Sequence, residues 1–114
     1  MQFRETKAMW YLVLSRSIPG LEAERKTHYE EHRIWLDTQN REGRMLFSGP
    51  TADLAYGIYV LLADGLDQAR ALAAQDSHHR RGLRTMEVFE WDPRRAFRLD
   101  AMSIADVTKL AADK

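Results

Sequence analysis

Apolar and polar residues alternate along the chain in blocks that predict strands separated by helices. Four apolar runs, the first rich in aromatic and branched side chains and too short for a typical helix, predict strands at residues 7–15, 44–48, 57–63 and 83–91. Three segments with helical periodicity predict helices at residues 27–42, 66–75 and 103–112. Before the last helix, the order of elements is therefore β-α-β-β-α-β.

This order is the split pattern of a ferredoxin-like α+β fold with an antiparallel sheet. Right-handed crossovers place both helices on one face of the sheet. The first and third strands are apolar at successive positions, which is typical of strands buried on both faces. No helix before residue 92 is left to cover the second face, so we expect a second copy of the chain to cover it. The resulting assembly is a homodimer, a dimeric α+β barrel.

Capping signals define the helix boundaries. Thr27 and Glu30 form a potential capping box, which predicts that the first helix begins at residue 27, and Gly43 predicts its end. Ser103 and Asp106 predict a similar start for an extra C-terminal helix, which we expect to pack on its own domain or on the partner. At 114 residues we expect a single domain over 1–114, with its core at 7–92 and a C-terminal extension at 93–114.

Composition narrows the possible partners. Seventeen acidic and 17 basic residues give no net charge, which argues against a nucleic-acid or membrane partner, and no apolar run is long enough to span a bilayer. The chain has no cysteine, which excludes disulfides and thiolate sites and suits a cytoplasmic protein. Six arginines recur between residues 80 and 98. We interpret them as a solvated or interface rim, with an anion-binding patch as the alternative.

Two histidines lie on the apolar side of the first predicted helix. At 100° per residue, one third of the helix circumference carries Leu21, His28, Tyr29, His32, Trp35 and Leu36. Residues 28–32 fit the H-x-x-E-H pattern of a zinc site, but no matching third ligand follows, so we expect no metal. The histidines could instead be structural, or His32 could be an acid/base oriented by Asp76, which follows the second long helix.

Several of these segments, in this order and spacing, resemble the YciI-like family. They are His32 on its helix, residues 42–50 (Glu-Gly-Arg-Met-Leu-Phe-Ser-Gly-Pro), Gly-Ile-Tyr-Val at 57–60, the alanine-rich helix, and Asp76 with Gly82 six residues later. The resemblance implies a ferredoxin-like dimeric α+β barrel with a paired histidine and aspartate in a pocket, here His32 and Asp76. His28 then belongs to the pocket wall. The family aspartate is usually followed by proline, whereas this chain has Ser77, His78 and His79.

Most relatives have no known reaction, but one branch resembles muconolactone isomerases in fold and eliminates HCl from a chlorinated hydroxyhydroquinone without a cofactor. We therefore expect a cofactor-independent lyase or isomerase acting on a small cyclic or aromatic compound. In it, His32 and Asp76 are the catalytic pair. Substrate-binding roles are predicted for Ser48, as a polar anchor, and for the pocket-lining residues His28, Trp35, Tyr11 and Tyr59. No glycine-rich phosphate cradle is present, so no nucleotide cofactor is expected. The alternative is a non-catalytic small-molecule-binding or dimerisation module.

Overall fold

The computed structural model describes residues 8–95 and 103–113. Its sheet has four strands, β1 (Met9–Ser17), β2 (Met45–Pro50), β3 (Tyr56–Ala63) and β4 (Arg84–Trp91). The strand order is β2-β3-β1-β4 and every neighbouring pair is antiparallel. The helices of the described chain are α1 (Glu22–Thr27), α2 (Tyr29–Arg41), α3 (Leu66–Ala74), α4 (Ser77–Arg80) and α5 (Ile104–Ala112). The predicted α+β class with a ferredoxin-like antiparallel sheet is confirmed.

The first long helix begins differently from the prediction. The Thr27 hydroxyl donates to the Ala23 carbonyl one turn earlier, so Thr27 ends α1 and does not cap α2. The N-cap of α2 is His28, which makes no side-chain capping bond. The capping box predicted at Thr27 and Glu30 is therefore wrong, because the threonine is already satisfied inside the preceding helix. Gly43 does follow the helix end with a φ of +77°, a conformation that favours glycine.

Two further differences concern short segments. The connection after α3, predicted as a polar loop, contains the four-residue helix α4, whose N-cap is Asp76. Strand β1 extends to Ser17 because Arg16 and Ser17 still pair with β4. At the C-terminus the predicted capping box is present: the Ser103 hydroxyl accepts from the Asp106 amide, and the Asp106 carboxylate accepts from the Ser103 amide.

The main core lies between the sheet and helices α2 and α3. Its buried members are Val13, Met45, Tyr59, Leu61 and Ala73. Trp35 and Leu36 from α2 pack against this cluster. Because residues alternate faces along a strand, the same side of β1 carries Val13 and then Ser15, so the core continues directly into a polar region under α1 and α2.

The opposite face of the sheet is covered only in part. Helix α5 packs there against Trp10, whose indole Nε1 donates to the Thr108 hydroxyl at 2.6 Å. Beyond α5, Ile58 and Phe89 remain 37% and 47% exposed. The C-terminal helix thus packs on its own domain and leaves part of an apolar sheet face open. Among the described residues, no helix combines the length and apolar character needed to cross a membrane.

Candidate active site

His32 and Asp76 meet between α2 and the start of α4. Nδ1 of His32 lies 2.7 Å from Oδ1 of Asp76. Because a carboxylate can only accept, His32 donates through Nδ1–H and its Nε2 is left without a proton while the ring is neutral. His32 lines a cavity of about 850 Å³. The ring therefore has an oriented nitrogen on the carboxylate side and lines a space large enough for a small molecule.

Asp76 is fully buried and holds its position through the backbone as well as through His32. As the N-cap of α4, it accepts from the His78 amide at 3.0 Å with the same Oδ1. Burial by itself raises the pKa of Asp76, but the hydrogen bonds from His32 and the His78 amide outweigh it, so the pKa lies below its ordinary value. Asp76 is consequently a carboxylate at neutral pH, and its second oxygen, Oδ2, is buried without a partner in the part of the chain that the structure describes.

His78 stacks directly on His32. The ring centroids are 4.2 Å apart and the planes differ by 8°. Nε2 of His78 lies 3.2 Å from the Arg25 carbonyl, so Nε2 carries the proton and Nδ1 does not. Burial and the neighbouring His32 lower the pKa of His78 to about 4. His78 is therefore a neutral ring at physiological pH, and its bare Nδ1 is buried without a partner.

A further histidine, His79, is hydrogen-bonded to a residue of the cavity wall. The hydroxyl of Ser15, which lines the cavity, is 2.6 Å from Nε2 of His79. Nδ1 of His79 lies 2.7 Å from the Ala73 carbonyl and must donate to it. Nε2 is then the acceptor and Ser15 the donor, while burial lowers the pKa of His79 and keeps its ring neutral. The lone pairs of the Ser15 oxygen remain available as hydrogen-bond acceptors.

The sheet contributes Tyr59 on β3 and Arg84 at the start of β4 to the same cavity wall. Each carries a buried polar atom with no partner among the described residues, the hydroxyl of Tyr59 and Nε of Arg84. Burial raises the pKa of Tyr59, with a contribution from the charge of Asp76, so its hydroxyl stays protonated. The cavity thus combines an oriented imidazole, a phenol and a guanidinium.

A family model of the YCII-related domain matches residues 9–92, which is most of the chain. The chain belongs to the YCII-related family. Among solved structures it is similar to 5-chloro-2-hydroxyhydroquinone dehydrochlorinase (TftG) from Burkholderia phenoliruptrix, in complex with 2,5-dihydroxybenzoquinone. The TM-score is 0.65 and the identity 20%, over 74% of this chain and 94% of that chain. This likeness shows that the two chains share a fold.

Two more distant structures also match. One is SnoaB, a cofactor-independent oxygenase from Streptomyces nogalater, with a TM-score of 0.46 and 14% identity over 79% of this chain and 96% of that chain. The other is a NIPSNAP family protein from Agrobacterium tumefaciens, with a TM-score of 0.44 and 14% identity over 81% and 92%. A comparison with curated proteins finds no match.

Within this YCII-related domain, four of the seven predicted site residues lie at the cavity or in contact with it. His32, Ser48 and Tyr59 line the cavity, and Asp76 is hydrogen-bonded to His32. The roles predicted for these residues stay predictions, since the structure describes their positions and not their chemistry.

The other three predicted residues do not line the cavity. The ring of His28 turns toward Glu31, with Nδ1 3.6 Å from the carboxylate. The indole of Trp35 packs beside Tyr59 in the core. Tyr11 is buried against Ala69 under α3. Trp35 and Tyr11 are on the expected face of their elements, but each is covered by its own core neighbours.

One group of residues in the described chain has the composition of a metal site. His32, Asp76 and His78 offer ligand atoms that all lie within 4.8 Å of one another. The stacked rings of the two histidines, however, hold their in-plane lone pairs in parallel planes, so these cannot converge on one ion unless a ring turns. Asp76 Oδ1 also already accepts two hydrogen bonds. The arrangement fits an acid/base cluster better, and the absence of a metal requirement stays a prediction.

Among the cavity residues that the sequence did not assign to the site, three have side chains that bear on its chemistry: Ser15, His78 and Arg84. Ser15 and Arg84 each continue a row of apolar residues on the helix-facing side of a strand, and a polar residue in such a row was the available signal. Arg84 had been grouped with the arginine rim. Arg80 and Arg81 do belong to that rim, since both pair with the exposed Glu31.

Proposed function

We propose that this protein is a cofactor-independent enzyme of the lyase or isomerase type, which moves protons on a small cyclic or aromatic oxygenated compound. The observation that carries the proposal is the 2.7 Å contact between His32 Nδ1 and the buried Asp76 carboxylate at the wall of a cavity of about 850 Å³. Proton transfer by a positioned histidine is a step that such a pair performs without further groups.

In this proposal His32 is the acid/base and Asp76 its positioning residue. Asp76 fixes the Nδ1–H tautomer, so Nε2 is the nitrogen that takes a proton from the substrate. The imidazolium formed is stabilised by the carboxylate beside it, whose lowered pKa keeps it ionised. His78 stays neutral and presents a flat face to His32, so it does not compete for the proton.

The substrate class follows from the cavity and from the relatives. Polar groups from Ser15, Ser48 and Tyr59 line the cavity and suit a compound with several oxygen atoms. TftG, which has the same fold, is a dehydrochlorinase of a chlorinated hydroxyhydroquinone. Loss of HCl from such a compound needs no oxidant. A hydroxyl proton goes to His32, the carbonyl forms, and the ring carbon that carries chlorine takes up a proton. A second hydroxyl then loses its proton and becomes the second carbonyl, and the displaced ring electrons expel chloride with the electrons of the C–Cl bond, which leaves a quinone.

We also propose that the working unit is a homodimer. The apolar sheet face beyond α5, with Ile58 and Phe89 exposed, is the surface that a second copy would cover. This pairing would place two sheets face to face, in the arrangement that the resemblance to YciI-like proteins implies.

The experiment is to incubate the purified protein with 5-chloro-2-hydroxyhydroquinone under anaerobic conditions and to follow chloride release. A parallel assay follows deuterium incorporation from D₂O into the ring of 2,5-dihydroxybenzoquinone, which reports proton transfer without a leaving group. Variants His32→Gln and Asp76→Asn are expected to lose at least ~100-fold in either rate. Arg70→Gln, an exposed substitution on α3 away from the cavity, is the control.

A His32→Gln protein that retains the wild-type rate in whichever assay shows turnover would overturn the catalytic proposal. If neither assay shows turnover but the compounds bind at the cavity, the protein is a non-catalytic binding module, which is the alternative function.

A further inference from the structure

Arg84 is a partly buried cation without a counter-ion inside the described chain. Its Nε is buried and its guanidinium makes no hydrogen bond or ion pair there. Burial lowers the pKa of Arg84, and the nearby charge of Arg25 adds to this effect. An arginine remains protonated even so, and a charge that is partly removed from water without a counter-ion is costly. A cation kept in this position is explained if a ligand supplies the opposite charge.

The carboxylates around the cavity are already engaged. Glu22 lies 3.7 Å from Arg25 at the exposed rim. Asp53 accepts from the Thr51 hydroxyl at 2.6 Å. The buried Asp76 attracts Arg84 through space but lies beyond ion-pair distance and is bonded to His32. None of them neutralises Arg84 by direct contact.

Two neighbours on β3 complete a receptor for an anion. Tyr59 is only 3% exposed. Its hydroxyl has no partner among the described residues and stays protonated, so it can donate a hydrogen bond. Gly57 leaves the space that the guanidinium occupies: a Cβ on Gly57 would lie 2.9 Å from Nη1 of Arg84. Both residues line the cavity that His32 lines.

We propose that Arg84 and Tyr59 form a subsite for an anionic oxygen, so that the cavity takes its cyclic ligand as a phenolate or enolate anion and not as the neutral compound. The guanidinium supplies the charge and the phenol a second donor. The subsite narrows the substrate class of the proposed function to anions. For the reaction that follows binding, this inference rests on the proposed function. Binding itself can be measured without turnover.

The test compares two ligands of similar shape and different charge by isothermal titration calorimetry near pH 7. One is 2,5-dihydroxybenzoquinone, whose hydroxyl groups are vinylogous acids and ionise readily, and the other is the uncharged 2,5-dimethyl-1,4-benzoquinone. The anion is expected to bind more tightly to the wild type. Arg84→Gln is expected to weaken its binding roughly 10- to 100-fold, the range of a charge-assisted hydrogen bond, and to leave the neutral compound unaffected.

Three further variants sharpen the result. Tyr59→Phe is expected to cost roughly 5- to 10-fold for the anion, as the loss of one neutral donor. Gly57→Ala leaves the polar groups intact but displaces the end of the Arg84 guanidinium, and it is expected to weaken binding of the anion and not of the neutral compound. This variant also tests the subsite if Arg84→Gln does not fold. Arg70→Gln removes the same charge from an exposed position and is expected to have no effect.

The subsite is overturned if the wild type binds the neutral compound as tightly as the anion, if it does not bind the anion at millimolar concentration, or if Arg84→Gln and Gly57→Ala both retain wild-type affinity. His32→Gln is expected to keep the preference for the anion. Loss of turnover in His32→Gln with unchanged binding in Arg84→Gln would reject the subsite and retain the catalytic proposal. The opposite pattern, anion selectivity without turnover, would reject the catalytic proposal and retain the subsite.

Discussion

The buried ring of His78 should make the stability of the protein depend on pH. Its pKa is lowered from 6.5 to about 4, mainly by burial and next by the adjacent His32. His78 therefore takes up a proton near pH 6.5 in the unfolded chain, but only near pH 4 in the folded chain. The free energy of unfolding falls as the pH decreases through this window. At about 1.4 kcal/mol per pH unit, the loss is on the order of 3 kcal/mol.

The informative perturbation is His78→Phe. Phenylalanine keeps a flat ring against His32 but cannot titrate, and it loses the hydrogen bond to the Arg25 carbonyl, which costs about 1 kcal/mol at every pH. We expect the variant to be less stable than the wild type near neutral pH and to equal or exceed it below about pH 5. His79, whose pKa burial also lowers, leaves part of the pH dependence in the variant.

Urea denaturation at a series of pH values between about 7 and 4.5 measures this difference directly. Arg80→Gln is the control, because Arg80 lies in the same short helix but its side chain is 58% exposed and pairs with Glu31. The control is expected to follow the wild-type curve. Parallel curves for His78→Phe and the wild type across the whole series would refute the reasoning.

Three further predictions follow from particular contacts. Asp76→Asn should lower the turnover rate by at least ~100-fold while changing KM little, because the amide no longer fixes the ring of His32 in one tautomer. Steady-state kinetics test this, and an unchanged turnover rate would exclude the orienting role of Asp76. Arg84→Met should raise the free energy of unfolding by about 1 kcal/mol, since it removes a partly buried cation that has no counter-ion among the described residues. Urea denaturation that shows a loss of stability would contradict this. Phe89→Glu should convert the proposed homodimer to a monomer in light scattering with a near-unchanged circular dichroism spectrum, because Phe89 is exposed within one chain. A wild type that is already monomeric would disprove the dimer.

Local signals in the sequence were sufficient for the strands and for most element ends. Apolar runs located all four strands of the described sheet to within a few residues, and Gly43 and the Ser103 box were correctly placed as helix boundaries. The Thr27 box failed because the same threonine fits two local arrangements, a cap for α2 or a bond within α1. Only the packing of the surrounding helices selects between two such local alternatives.

The cavity was harder to predict than the fold. Trp35 and Tyr11 were assigned to it because aromatic residues commonly line ligand pockets, yet both are packed in the core. Arg84 was grouped with the arginines interpreted as a solvated or interface rim, because charged residues are mostly exposed, and an anion-binding patch was the alternative. The position of Arg84 on the same face of β4 as apolar residues indicated the opposite, that its side chain points toward the core. Alternation along a strand, however, does not tell whether a charged residue at its end is exposed to solvent or lines a cavity.

The sequence by itself determined the order and type of the elements, because apolar periodicity and turn chemistry are set by residues that are neighbours along the chain. It also singled out His32 and Asp76, through the spacing of segments shared with relatives. Only the tertiary structure decided that the two groups touch, that His78 stacks on the first of them and that Arg84 meets no counter-ion within residues 8–95 and 103–113. These facts depend on which groups lose their water when distant segments come together, and desolvation is a property of the packed fold.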